Sequence, residues 1–274
     1  MAANSEMKKR AAETRRRLVR MHKTGSHFGS AMSIADILTV LYFRVLRIGS
    51  PDDPGRDRFL LSKGHAASCW YATLVARGFA PPEVLEDYLA DGSSLYGHPV
   101  RNGLPGIEAS TGALGHGLPI GAGMALAARN DGKGYRVFVL MGDGETQEGS
   151  VWEGAMLASR LKLDNLTAII DANNFQGFDC VENIQPISSF RPRWEAFGWA
   201  VREVDGHDHE RLEEVLASVP FETGKPSLVV ARTVKGKGVG DMEGKFESHY
   251  LSVPRDKIET YCREIDRAAG EEER

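Results

Sequence analysis

The 274-residue chain has little cysteine: only Cys69, Cys180 and Cys262. An odd number at wide spacing suits neither a disulfide framework nor a zinc site, so a reducing compartment and a cytoplasmic location are expected. Charge of one sign is also missing. The 34 Lys and Arg against 38 Asp and Glu give a formal net charge of −4, which removes the electrostatic case for binding nucleic acid. No uninterrupted apolar run approaches the roughly 20 residues of a membrane span. The charged N-terminus has no apolar signal core, so no membrane association is expected. No Gly-x-Gly-x-x-Gly opens the first βα unit, which argues against a dinucleotide site. The one basic run, Lys8-Lys9-Arg10 with Arg15-Arg16-Arg17 and Arg20, falls on a predicted first helix and reads as a solvated face.

What is present is ordinary globular composition, 42% apolar and 26% charged, in a chain long enough to bury one large core. Apolar spacing predicts helices over 10–22, 34–45, 66–77, 82–89, 118–129, 147–161, 191–197, 209–218 and 255–268. It predicts strands over 135–141, 166–171, 199–204 and 227–233. Strands alternating with helices imply an α/β fold, a doubly wound parallel sheet flanked by helices, in a single domain over 1–274. Residues 92–112 form a long glycine-rich loop, a length usually kept for function. Residues 234–250 read as a second one, partly mobile.

Two polar pieces stand at strand ends. Met141-Gly142-Asp143-Gly144-Glu145 closes the apolar run Val137-Phe138-Val139-Leu140, and Asn173-Asn174 closes Leu166-Thr167-Ala168-Ile169-Ile170. In a parallel sheet that edge is where ligands bind. A lone Gly-Asp-Gly is usually a turn. Two strand ends joined by a helix of the right polarity are far more specific, and they read as a magnesium-diphosphate clamp. Mg²⁺ takes about six oxygens. A diphosphate supplies two, Asp143 an anionic one, Asn173 a neutral one and the Phe175 carbonyl another. Gly142 and Gly144 let phosphate reach the backbone, and the helix over 147–161 points its N-terminus at the same anion.

Gly142-Asp143-Gly144 followed by Asn173 resembles the thiamine diphosphate signature, and from about Arg15 to His249 the chain resembles the N-terminal part of transketolase. Gly25-Ser26-His27-Phe28-Gly29 with Ala35-Asp36-Ile37 is similar to the family's first His motif. Asp57 to His65 is similar to the second, Gly97-His98-Pro99 to the third, Thr111 to Gly117 to the diphosphate loop, and Lys235-Gly236-Lys237-Gly238 with Ser248-His249 to the last. The resemblance implies the thiamine diphosphate-binding fold of the diphosphate (PP) type. It implies thiamine diphosphate with Mg²⁺, or Ca²⁺ or Mn²⁺ in its place. His27 and His249 would lie over the thiazolium, His65 would line the channel beside cofactor and diphosphate, and His98 would bond the donor's hydroxymethyl group. These four are the implied catalytic residues. Leu114 would touch the thiazolium, Gly112 and Gly144 the diphosphate, and Glu148 a dimer interface that couples two sites. The four-histidine set favours a two-carbon ketol donor over the 2-oxo acids of the dehydrogenase class. The chain departs from the family at His116, where glutamine is usual, at Asn174, where glycine is, in the bulkier Phe175-Gln176-Gly177-Phe178, and around Met242-Glu243-Gly244.

In the family the cofactor sits between two domains, and the second binds its pyrimidine. After His249 about 25 residues remain. The expectation is therefore the N-terminal subunit of a split transketolase in carbohydrate metabolism. It would transfer a ketol unit from a ketose (phosphate) donor to an aldose acceptor, and only with a C-terminal pyrimidine-binding subunit in an α2β2 heterotetramer. The alternatives are an alpha-type subunit of a 2-oxo acid dehydrogenase E1, a deoxyxylulose phosphate synthase-like fragment, and a non-catalytic scaffold, which the intact clamp disfavours. The basic stretch 235–237 reads either as a phosphate contact or as a solvated hinge.

Overall fold

The computed structural model describes residues 2–23, 25, 27–186 and 189–270; Ser26 of the first His motif lies outside them. Among the described residues five strands are all parallel: β1 (Arg58–Leu61), β2 (Val137–Gly142), β3 (Leu166–Ala172), β4 (Ala200–Asp205) and β5 (Ser227–Arg232), in the order β1-β2-β3-β5-β4. The helices are α1 (Ala2–Met21), α2 (Phe28–Met32), α3 (Ala35–Val40), α4 (Ala67–Ala76), α5 (Gly117–Asn130), α6 (Gly149–Arg160), α7 (Val181–Ile184), α8 (Phe190–Ala196), α9 (His209–Ala217) and α10 (Ile258–Ala269).

Alternation along the strands separates two cores. Phe138, Leu140, Ile169, Val229 and Ala231 face α1, α3, α4, α9 and α10. Val137, Val139, Met141, Ala168, Ile170, Leu228 and Val230 face α5, α6 and α8. Both faces are covered, so the strands are near-continuous apolar runs, as a parallel sheet requires. This is the doubly wound α/β sheet that the sequence pattern implies.

Local differences have physical reasons. The sequence pattern does not predict β1: Phe59-Leu60-Leu61 is too short for a periodic signal, and it forms by pairing in register with β2. The helix predicted over 34–45 ends as α-helix at Val40 and continues as a π-turn, Leu41–Val45. α6 starts at Gly149, because Gly144–Gln147 forms a 3-10 turn first. Residues 28–45 reach a mean hydropathy of 1.3 over 18 residues, enough for a membrane span by length and composition, but 89% of that window is buried in this fold. It is core. On α1 the basic face is largely paired, Arg10 with Glu6 and Arg17 with Glu13. Arg15 instead turns inward and is buried against Asp36.

Candidate active site

β2 and β3 pair with Gly142 opposite Asp171, so the residues that follow each strand open on one edge of the sheet. Asp143 is 4% exposed. Its Oδ1 accepts the Gly144 amide at 2.8 Å and its Oδ2 the Asn174 amide at 2.5 Å. Burial, then the nearby Asp171 charge, pushes its carboxyl up to about 7. A carboxylate held by two amides in so dry a place has a strong demand for a cation. Asn173 is oriented from both ends of its amide: Nδ2 donates to Asp171 Oδ2 at 2.8 Å, and Oδ1 accepts the Phe175 amide at 3.0 Å. Among the described residues no three His, Cys, Asp or Glu side chains converge on a metal site. The clamp thus brings a single charged ligand, and a hard cation would need a further anionic oxygen donor to complete its shell. A diphosphate fits that demand.

Behind the clamp stand ionic residues whose partners the sequence does not show. Asp171, fully buried, accepts from Lys63 Nζ at 2.5 Å, from Ser33 Oγ at 2.7 Å and from Thr233 Oγ1. Burial opposes its charge, but the Lys63 ammonium and these hydrogen bonds outweigh burial and lower its pKa. Glu145 joins three loops: Oε1 accepts from Ser62 Oγ and from the Gly115 amide at 2.9 Å, and Oε2 accepts the Gly142 amide at 3.0 Å. Burial pushes its carboxyl up. Lys235 is 1% exposed, so its side chain is not solvated, whereas that of Lys237 is 38% exposed beside Glu243. Within the segment 234–250, Lys235, Ser248 and His249 are buried, whereas Asp241, Lys245, Glu247 and Tyr250 are exposed.

Four histidines cluster. The His27 ring lies 5.2 Å from His65, 6.2 Å from His98 and 4.8 Å from His249, centroid to centroid. His27 sits at φ 70, a left-handed conformation rare for a side-chain-bearing residue, and its amide donates to the His249 carbonyl at 2.6 Å. Burial, then the neighbouring charges, lowers His27 to about 4 and His249 to about 3. His65 falls well below its usual range, from burial and the Lys63 charge, and His98 is lowered by burial. All four imidazoles are therefore neutral near pH 7. At His249 the proton can be placed. Lys235 Nζ lies 3.0 Å from Nδ1, and an ammonium only donates. Nδ1 accepts, so the hydrogen is on Nε2.

One cavity of about 370 Å³ gathers every predicted site residue: His27, His65, His98 and His249, Gly112, Leu114, Gly142, Asp143, Gly144, Glu148, Asn173 and Phe175. Glu148 is exposed at the residue before α6, and its side chain makes no capping hydrogen bond to that helix. Two glycines are required by space. A Cβ on Gly112, at φ 143, would lie 2.8 Å from His98 Cδ2, and one on Gly144 would lie 2.8 Å from Gln176 Cβ. The unusual Asn174 is explained by φ 67: asparagine is among the side chains that best tolerate the conformation glycine would take there. His116 is exposed at the start of α5 and lies outside the cavity lining.

A buried carboxylate-amide clamp at the ends of β2 and β3, with neutral imidazoles above it, is the architecture of a cofactor diphosphate-binding domain. The family model described as transketolase, thiamine diphosphate binding domain, matches residues 7–266, and the chain belongs to that family of transferases. It is 43% identical over 257 residues to one of the subunits of the apulose-4-phosphate transketolase of Phocaeicola vulgatus, covering 92% of this chain and 91% of that one. It is 36% identical to a 6-deoxy-6-sulfo-D-fructose transketolase subunit of a Clostridium species, covering 88% of each. The solved transketolase of Leishmania mexicana superposes with a TM-score of 0.86 at 29% identity over 98% of this chain, which spans only 42% of that longer protein.

Proposed function

We propose that this chain is the diphosphate-binding subunit of a two-chain transketolase. It would move a two-carbon ketol unit from a ketose donor to an aldose acceptor, with thiamine diphosphate and a divalent cation. The observation that carries the reading is the convergence, in one cavity, of the Asp143–Asn173 clamp with four neutral histidines. Asp143, Asn173 and the Phe175 carbonyl would hold Mg²⁺, Gly112 and Gly144 would leave room for diphosphate, and Leu114 would meet the thiazolium. When bound, thiamine diphosphate supplies the electron sink that lets a carbon–carbon bond beside the ketose carbonyl break and re-form. The chain's own part is proton placement. His249 would offer its Nε2 hydrogen to a substrate oxygen, while neutral His27 and His65 would exchange hydrogen bonds without adding fixed charge. His98, which lines the cavity and is exposed, would bond the donor's hydroxymethyl group.

Relatives of nearly the same length are named as subunits, which supports a C-terminal, pyrimidine-binding partner in an α2β2 assembly, with Glu148 at the contact between paired sites. The relatives' named sugars carry a phosphate or a sulfonate, and we infer a donor that ends in such an anionic group. The free cysteines accord with a reducing, cytoplasmic setting. Donor choice tests this reading. The assembled enzyme is expected to turn over ketose phosphates and to leave 2-oxo acids untouched; preference for a 2-oxo acid would replace the transketolase reading with the dehydrogenase one.

A further inference from the structure

Outside the cavity lining, another buried carboxylate gathers four donors. Asp36, on α3, is 4% exposed. Its Oδ2 accepts from Arg15 Nη2 at 2.6 Å and from His207 Nδ1 at 2.7 Å, and its Oδ1 from Arg15 Nη1 at 3.1 Å and from His209 Nε2 at 2.8 Å. The direction of the His207 bond is set by its other nitrogen. The Val234 amide, which can only donate, lies 2.8 Å from His207 Nε2. Nε2 is therefore bare, and Nδ1 carries the hydrogen given to Asp36. Arg15 reaches the same stretch of chain from the other side, its Nε donating to the Lys237 carbonyl at 3.0 Å.

Val234 and Lys237 flank Lys235. The Gly236 amide, between them, donates to the Gly29 carbonyl at 3.0 Å. From this braced stretch the Lys235 side chain runs inward, and its Nζ meets Ser30 Oγ at 3.1 Å and His249 Nδ1 at 3.0 Å. A lysine is a flexible arm, and its ammonium is placed only as well as its backbone. Displacements of about 1 Å at this distance from the chemistry can cost roughly 100-fold in rate.

We propose that Asp36, acting through His207 and Arg15, is a positioning residue: it braces both sides of Lys235, so that Lys235 holds Nδ1 of His249 and confines its proton to Nε2. The inference deepens the transketolase reading of the same cavity. Its test reads the imidazole itself, so it can fail or succeed apart from any ketol transfer.

The experiment uses the full chain labelled with ¹⁵N-histidine and records long-range ¹H–¹⁵N spectra near pH 7, with His249 assigned from H249N. In the wild type, Nε2 is expected to be protonated and Nδ1 to resonate as a hydrogen-bonded acceptor. K235M sets the reference for losing that bond: Nδ1 moves downfield and Nδ1-protonated imidazole appears. H207F, which keeps the ring but neither bond, is expected to match K235M. H207Q, whose amide can give one bond to Asp36 and accept the other from Val234, is expected to restore the wild-type pattern. R15K keeps the charge beside Asp36 but lacks the Nε bond to Lys237, and is expected to fall between the two; it decides the matter if H207F does not fold. A wild-type His249 pattern in folded H207F or R15K, with only the melting temperature lowered, would overturn the proposal, as would failure of folded H207Q to restore it.

Discussion

The backbone amide of Asn174 donates to the carboxylate of Asp143 at 2.5 Å, across 31 residues of sequence. The bond ties the loop after β2 to the loop after β3, and it turns two strand ends into one clamp. Removing the charge, together with one of the two oxygens that accept the Gly144 and Asn174 amides, tests what that clamp holds. D143N is expected to keep the fold and to weaken Mg²⁺-dependent thiamine diphosphate binding by at least roughly 10- to 100-fold, the range for disturbing groups around a metal. Chelation of divalent ions from the wild type is expected to do the same. Calorimetric titration of the assembled enzyme reads both, and unchanged affinity in D143N would contradict the clamp.

Gly112 tests the cradle. At φ 143, with the His98 ring 2.8 Å from where a Cβ would stand, G112A must strain the backbone and displace His98. Such strain costs about 1–3 kcal/mol. A melting temperature lower by roughly 2–8 °C is expected, with weaker cofactor binding. Normal melting and binding together would show that the space is not needed.

The Lys63–Asp171 pair is buried on both sides, with side-chain exposures of 1% and 0%. K63M leaves Asp171 charged and unpaired, and a loss of roughly 3–5 kcal/mol is expected. Denaturant titration should show K63M/D171N recovering part of it, since the second change removes the stranded charge. A double variant no more stable than K63M would mean that the lysine matters mainly for packing.

Acid sensitivity follows from His22, whose Nε2 lies 2.8 Å from Ser68 Oγ and which burial lowers to about 4. Its folded pKa is below the unfolded value of about 6.5. The stability it contributes is therefore present above about pH 6.5 and is lost as pH falls through about 4, by up to roughly 3 kcal/mol. His27 and His249 act in the same direction. Asp143 acts in the opposite one: its raised pKa favours the fold at low pH and costs stability as pH rises through about 7. The informative quantity is therefore a difference. H22Q is expected to lose less stability than the wild type between pH 7 and pH 4 in urea titrations, and equal losses would show that His22 does not carry this term.

Much of this was legible because chemistry and chain order coincide. Asp143 and Asn173 each follow a clear apolar strand, and glycine and histidine mark the loops that form the cavity. What was not legible depends on partners far away in sequence. Asp171 reads as the polar end of a strand until Lys63, 108 residues earlier, is seen against it. Glu145 reads as part of a turn until Ser62, Gly115 and Gly142 converge on it. Arg15 sits in a basic run, and only the fold shows that it turns inward to Asp36. β1 has four residues and takes its shape from β2. Asn174 is the reverse case: a departure noticed in sequence that a single backbone angle explains.

The central claim is that this chain is one half of a ketol-transferring site. The most direct test is a two-carbon transfer assay with a ketose phosphate donor, an aldose acceptor, Mg²⁺ and thiamine diphosphate, run on the purified chain alone and then mixed with a C-terminal transketolase subunit. Transfer only in the mixture is the predicted result. Transfer by the chain alone, in a preparation free of any partner, would contradict it.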